Sequence, residues 1–537
     1  MLKNISRFFT VDINLGKADS LLPGTMRAVE FQGDKYAITI YNHLGKFYAT
    51  GGKCPHYGAP LATGPFVNGK VYCPWHTAAF DIQTGKKLTY PPVQDLPTYP
   101  TSINSSGELI VHLPTGTTNP SKYTDHNITV RNHQNTQKFV IVGGGAAGLA
   151  CAETLRKNDY TGEIVMITKE NSVPYDRVSL SKNFKAEPHQ LLLRPEEFYN
   201  EFGISVLKNT SVQSIDTQNK KINLADSVTV GYTKLLLASG SSARIFPAHQ
   251  QAAGLNNVCS IRTLQDHSKI KGLLPSSSKV VIIGGSFLGL EAANAIKSSS
   301  PSVDVTVIEL ESTPLKRIVG EKIGKTLQKN LEAKGVKFLL NKSASKINSS
   351  GSVATSVTVD NSEIPLDVLL LSTGASMNTS FVPSELLNQD GSVRVSSFLQ
   401  SDDRDIFAAG DIANFLSVFS GERMRIEHWS VAQEMGSTAA LNMLGKLTPF
   451  SSVPFFWSNQ AVNLQFVGFH GELLHTESIN ENTEKEGHIS YFFKNNQTVG
   501  VAIGNWPGAA VKFKALYESH QMPSKSDLLS GLKYKDL

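Results

Sequence analysis

Apolar positions along this chain change their period twice, and each change marks a different kind of structure. From Met1 to Leu113 they come in short alternating runs, Tyr36 to Tyr41, Val71 to Tyr72 and Leu109 to Leu113, cut by Gly and Pro. That pattern predicts a small all-β domain. From Pro114 to Gln137 the residues are mainly Thr, Asn, Ser and His without an apolar period, which predicts a linker. As a flexible coil, roughly two dozen residues span about 25 to 30 Å.

Buried strands then alternate with helical periods. Phe139 to Val142, Ala146 to Lys157 and Ile164 to Thr168 form one βαβ unit, and Val280 to Ile283, Leu288 to Ile296 and Val305 to Ile308 form another. Their separation exceeds the ~50 residues of a solenoid repeat, so the duplication predicts two dinucleotide-binding folds in one chain. From about Pro454 strands return and end in a short helical tail. The expected fold class is therefore multidomain: a small all-β domain, two Rossmann-like α/β domains and a C-terminal α+β domain.

Composition adds mainly exclusions. A chain of 537 residues with 40% hydrophobic and 18% charged residues is an ordinary globular protein of three or four domains. A net charge of +5 without any run of five or six Lys/Arg implies neither nucleic acid nor an acidic membrane as partner. The longest uncharged apolar stretch, Phe139 to Ala152, is broken by three glycines and falls short of the ~20 residues of a membrane span, so no integral membrane segment is expected. Four cysteines are too few for a disulfide scaffold, which points to a reducing, intracellular compartment. Lys3 and Arg7 precede the first acid, Asp12, and leave cytoplasm and mitochondrion both open.

The chemistry-bearing residues fall in three places. Cys54-Pro-His56 and Cys73-Pro-Trp-His76 form a C-x-H, sixteen residues, C-x-x-H constellation, with Gly58, Pro60, Gly64 and Pro65 between. Two thiolates and two imidazoles suit tetrahedral zinc, or a [2Fe–2S] centre with His56 and His76 on one iron and Cys54 and Cys73 on the other. Zinc ribbons favour C-x-x-C knuckles, whereas here each loop pairs one Cys with one His. A mononuclear iron site would need a 2-His-carboxylate set; the one His-x4-His pair, His470 and His475, has Val467 where an acid belongs.

Gly143, Gly145, Ala147 and Gly148 follow an apolar strand and open a helix. Glu170 closes the next strand, about 20 residues beyond Gly148, where a carboxylate meets an adenosine ribose. The second copy has Gly284, Ser286 and Gly289, with Glu309 again closing the strand after the helix. Ser286 puts a side chain where a pyrophosphate approaches, while Glu309 repels a 2′-phosphate and so favours NADH over NADPH. Lys316 and Arg317 are the counter-signal. Cys151 and Cys259 have no partner nearby in sequence and no Cys-x4-Cys lies by the first loop, which excludes disulfide-reductase chemistry.

Cys54-Pro-His-Tyr-Gly-Ala-Pro-Leu61, Cys73-Pro-Trp-His76 and Phe80-Asp-Ile-Gln-Thr-Gly85 resemble the Rieske ferredoxin family. No further cysteine exists there for the disulfide of respiratory Rieske proteins, which implies a potential near the low end of the roughly −150 to +300 mV range. Asp405-Ile-Phe-Ala-Ala-Gly-Asp411, with Tyr232 to Gly240 and Leu369 to Gly374, resembles flavoproteins with two dinucleotide folds, in which the aspartate binds the ribityl chain of FAD. Pro174-Tyr-Asp-Arg177-Val-Ser-Leu-Ser-Lys182, Glu427-His-Trp429 and Phe455-Phe-Trp457-Ser narrow the resemblance to apoptosis-inducing-factor-like proteins and NADH-dependent ferredoxin reductases.

The resemblance implies that Arg177 and Asp411 contact FAD, and that Lys182, Trp429 and Trp457 surround its ring. It implies a Rieske domain over 1–113, a linker over 114–137, an FAD domain over 138–260 and 365–445, an NAD domain over 261–364 and a C-terminal reductase domain over 446–537. The expected activity is NADH oxidation through FAD and a [2Fe–2S] cluster to an acceptor protein or small molecule, and a homo-oligomer is compatible with it. The competing class is a redox signalling or cell-death protein in which turnover is secondary.

Overall fold

The structure, a computed structural model, describes residues 10–122, 125, 128–274, 279–469, 478–482 and 487–537. Lys3, Arg7 and the pair His470 and His475 lie outside the described residues. The chain divides into two compact units, Met1–Ile128 with Pro507–Lys512, and Thr129–Trp506 with Phe513–Leu537. Among the described residues no helix is long and apolar enough to cross a membrane.

The first unit is built of small antiparallel sheets. In the strand Glu108–Pro114, Leu109, Val111 and Leu113 alternate inward with a period of two and meet Ile38, Ile40 and Ala49. A second cluster, with Tyr41, Leu61, Val71 and Phe80, packs round Cys54 and Cys73.

The segment Pro114 to Gln137 is less free than its composition predicts. Tyr99 donates its hydroxyl to the Pro120 carbonyl at 2.6 Å, and Ser121 donates to that of Ala37 at 2.9 Å. In the second unit, the amides of Thr129 and Asn132 donate to the carbonyls of Arg156 and Thr161 at 3.1 and 2.8 Å. Polar residues anchor both ends through backbone groups, which an apolar period does not register.

Two parallel five-stranded sheets form the body of the second unit. The first runs Ile204–Leu207, Glu163–Ile167, Lys138–Val142, Lys234–Leu237, Ile406–Ala408. The second runs Val258–Cys259, Val368–Leu371, Lys279–Ile283, Asp304–Glu309, Val336–Leu340. Val258–Cys259 and Val368–Leu371 thus belong to the second sheet, which extends beyond the expected 261–364 at both ends. The reason is topological: the chain enters and leaves this fold through strands that pair with each other, a contact between residues over a hundred positions apart.

Three helices carry the loops and side chains of the second unit's candidate site: α1 (Ala146–Lys157), α2 (Phe287–Ser299) and α3 (Trp429–Met443). α1 and α2 each start at a glycine loop, and α3 lies against α1. The five-stranded antiparallel sheet Phe455–Asn459, Asn463–Gly468, Gln497–Gly504, His488–Lys494, Ser478–Asn482 comes next, then helices Ala509–Glu518 and Lys525–Leu529.

Candidate functional site

The two Cys/His loops fold alike despite unequal spacing. In each, the cysteine amide donates to the carbonyl five residues on, Ala59 or Ala78, at 2.8 Å. Its own carbonyl accepts from the amide four residues on, Gly58 at 2.9 Å or Thr77 at 3.1 Å. Both fourth residues are left-handed, at φ 76° for Gly58 and 59° for Thr77. Glycine takes this conformation freely, whereas β-branched Thr77 is strained there and held by the turn.

These turns bury Cys54 and Cys73, each 1% exposed, and bring Nδ1 of His56 to 2.9 Å from Nδ1 of His76. The donors come as a sulfur pair and a nitrogen pair. Donors split two and two suit a two-iron cluster better than one tetrahedral ion. Burial first, then the neighbouring Cys73, pushes the Cys54 thiol well above its usual range. A cationic metal centre offsets that cost by taking both sulfurs as thiolates. Tyr57, 40% exposed, stacks on His56 at 3.7 Å, so the imidazole side is the one nearer solvent.

At the first glycine loop Gly143 has φ 123°, and a methyl group added there would meet the Ala238 carbonyl oxygen at 2.0 Å. One added at Gly148 would meet the Gly143 carbonyl oxygen at 2.0 Å, while Gly145 faces open space. The loop therefore presents bare backbone at the start of α1, where a pyrophosphate gains from unpaired amides. Glu170 is already engaged: Tyr175 donates its hydroxyl to one carboxylate oxygen and Arg177 Nη2 lies 2.7 Å from the other. Each oxygen keeps a further lone pair for a ribose hydroxyl. A methyl group added at Gly410, beside Asp411, would come to 3.6 Å from the Ala147 Cβ. Asp411 Oδ2 accepts from Ser241 Oγ at 2.6 Å and pairs with Arg262 Nη2 at 3.2 Å.

The second loop repeats this geometry, with φ 103° at Gly284 and its Cα against the Ser372 carbonyl. A methyl group on Gly289 would meet the Gly284 carbonyl oxygen at 2.2 Å. Ser286 turns its hydroxyl onto Ser372 Oγ at 2.6 Å, which ties the side chain back to the neighbouring strand end. Glu309 accepts from the Gly285 amide at 2.5 Å and the Glu311 amide at 2.9 Å. Arg317, the counter-signal, is paired with Glu311, and Lys316 donates to Ser312 at 3.2 Å.

Lys182 lies where the two folds and the C-terminal sheet meet. Its neighbours Leu180 and Phe184 are buried with Val280, Leu290 and Val305 of the second fold. Lys182 Nζ pairs at 2.9 Å with Glu291 Oε2 on α2. Trp457 precedes Ser458, which donates to the same carboxylate. Trp429 precedes Ser430, which donates to the Phe455 carbonyl at 3.0 Å. Trp457 stacks on Phe455 at 5.9 Å between ring centroids, on the opposite face of the strand from Ser458; both tryptophans are half-buried, while Ser458 faces Glu291 and Lys182. Phe287, Phe456 and His428 cluster there too, Phe456 lying 4.9 Å from Phe287 and 4.8 Å from His428 between ring centroids. The sequence reading missed Glu291 and these aromatics. Its one available signal was an acid within the apolar run Leu290 to Ala293 of α2.

Comparison with known proteins agrees with both units. A family model described as pyridine nucleotide-disulphide oxidoreductase matches residues 137–436, and one described as Rieske [2Fe-2S] domain matches 12–100. Apoptosis-inducing factor 3 of Mus musculus is 34% identical over 90% of this chain and 80% of its own length. The ferredoxin–NAD(+) reductase component of the anthranilate 1,2-dioxygenase system of Burkholderia cepacia is 32% identical over 62% of this chain and 82% of its own. The covalent putidaredoxin reductase–putidaredoxin complex superposes with TM-score 0.69 at 25% identity, covering 74% of this chain and 96% of that one. None of the four cysteines of this chain is in a disulfide.

Proposed function

The chain belongs to the pyridine nucleotide-disulphide oxidoreductase family and carries a Rieske [2Fe-2S] domain ahead of it, and on that premise we propose that it oxidises NADH with FAD and delivers the electrons through its cluster to a separate acceptor. The carrying observation is that one chain holds both halves of such a path: two glycine loops, each closed by an acid, and a buried sulfur pair beside an imidazole pair. Its cofactors are FAD, NADH and a [2Fe–2S] cluster. FAD takes an electron pair at once and releases it singly, and the cluster carries one electron at a time. A relative is named for passing electrons between ferredoxin and NAD(+); here a ferredoxin-like domain is part of the chain.

The residues divide the work. Residues 138–260 and 365–445, apart from the strands Val258–Cys259 and Val368–Leu371, hold FAD: Gly143, Gly145, Ala147 and Gly148 admit the pyrophosphate, Glu170 and Arg177 the ribose side, and Asp411 the ribityl chain. Residues 261–364, with their flanking strands, hold NADH: Gly284, Ser286 and Gly289 receive its pyrophosphate and Glu309 its free 2′-hydroxyl. Lys182 sets the charge beside the flavin ring, and Trp429 and Trp457 line it and exclude water. Residues 446–537 form the C-terminal reductase domain. Cys54, Cys73, His56 and His76 hold the cluster.

The test is composition and colour. Protein purified without oxygen should hold one FAD, two irons and two acid-labile sulfides per chain, and NADH should bleach its visible spectrum. One zinc with no iron or sulfide would overturn the assignment of the first unit.

A further inference from the structure

Glu291 is a carboxylate 3% exposed to solvent, with donors from two separate segments, Ser181–Lys182 and Ser458. Oε2 pairs with Lys182 Nζ at 2.9 Å and accepts from the Ser181 hydroxyl. Oε1 accepts from the Ser458 hydroxyl on the strand Phe455–Asn459. An ionised carboxylate cannot donate, so the one hydroxyl proton of Ser458 is committed to Glu291. Its oxygen can then only accept, and Gln460 Nε2 donates to it at 2.6 Å. Gln460 is itself fully buried, and the same nitrogen lies 3.3 Å from the carbonyl oxygen of Phe287, the first residue of α2. The chain of bonds has one direction: Gln460 to Ser458 to Glu291, where it meets the Lys182 cation.

From this we infer that Ser458 and Gln460 are positioning residues that set how strongly Glu291 neutralises Lys182, and so tune the reduction potential of the flavin from the C-terminal sheet. The inference rests on the functional reading, which puts Lys182 beside the flavin ring. A hydrogen bond from Ser458 draws charge from the carboxylate and leaves more of the lysine charge uncompensated. With the Lys182 side chain mostly buried, 21% exposed, that charge favours the reduced, more negative flavin. Without the Ser458 hydroxyl, Glu291 holds Lys182 more completely, and reduction becomes less favourable. Charge removal at Glu291 itself acts in the opposite sense. Two substitutions on one network therefore move the potential in opposite directions, which loss of packing does not do.

The experiment measures the flavin midpoint potential in the full-length holoprotein against a reference dye, with FAD content read from the visible spectrum. Ser458→Ala should lower the reduction equilibrium constant about tenfold, or ~30 mV for a two-electron couple. Ser458→Thr, which keeps the hydroxyl, should restore the wild-type value. Gln460→Met should give a smaller shift of the same sign, and Glu291→Gln a shift upward. Full FAD content with an unmoved potential in Ser458→Ala would overturn the inference, as would Glu291→Gln moving the same way as Ser458→Ala. If Ser458→Ala does not retain FAD, an unmoved potential in Gln460→Met decides against it. Wild-type protein with no flavin spectrum would instead overturn the functional reading, and the inference with it.

Discussion

The guanidinium of Arg156 shows what a single buried residue can commit to. It is wholly buried in α1 and donates to four carbonyl oxygens, of Phe202, Tyr160, Gly162 and Gly203, at 2.7, 2.5, 2.9 and 2.9 Å. Burial lowers its pKa to about 10, so it is still a cation at neutral pH. Arg156→Met should leave those carbonyls unsatisfied and cost about 3 to 5 kcal/mol, read as a lower denaturant midpoint at unchanged slope. Glu309 makes a prediction of specificity. Arg317 and Lys316 are engaged elsewhere, so NADH should be preferred, and Glu309→Ala should narrow the ratio of kcat/KM values for NADH and NADPH by about 1 to 3 kcal/mol. Equal values for the wild type would refute the assignment. At this scale, residues defined by local spacing were legible: both Cys/His loops, the glycines and their closing acids. Glu291, Ser458 and Gln460 were not, because their meaning arises only where segments near 181, 291 and 458 meet.

Among elements, the contact between α1 and α3 governs the first glycine loop. Gly436 on α3 approaches so closely that an added methyl group would lie 2.1 Å from the Ala147 carbonyl oxygen. Ala147 in turn lies near Gly410 beside Asp411, 3.6 Å from where a methyl group on Gly410 would sit. Gly436→Ala should therefore push α3 off α1 at a cost of about 1 to 3 kcal/mol. The loop and the Asp411 turn should shift with it, so FAD should be lost on gel filtration while the cluster stays. Retention of full FAD by the variant would contradict the coupling. Both βαβ units were legible because strand, glycine loop, helix and closing acid follow one another without interruption along the chain. The boundary between the two folds was not, since Val258–Cys259 and Val368–Leu371 find each other only in three dimensions. The anchored linker ends were hidden for a related reason: polar residues bonded to distant carbonyls leave no period.

For the molecule as a whole, the claim is that two compact units on one chain act as one electron path. A covalent link between the two units holds their centres at an effective concentration on the order of millimolar. Electron transfer inside one chain should then be unimolecular. His76→Cys keeps a ligand but puts an anionic thiolate on the iron otherwise held by two neutral imidazoles, so the cluster potential should fall, with flavin reduction by NADH unchanged. Cys73→Ser should leave flavin reduction intact and abolish delivery to a one-electron acceptor that docks on the cluster. The most direct measurement is stopped-flow absorbance of the flavin and cluster bands after anaerobic mixing with NADH, repeated at several protein dilutions. The account predicts that cluster reduction follows flavin reduction at a rate independent of protein concentration. A cluster that is never reduced after the flavin would contradict it, and a rate that scales with protein concentration would show that electrons cross between separate molecules.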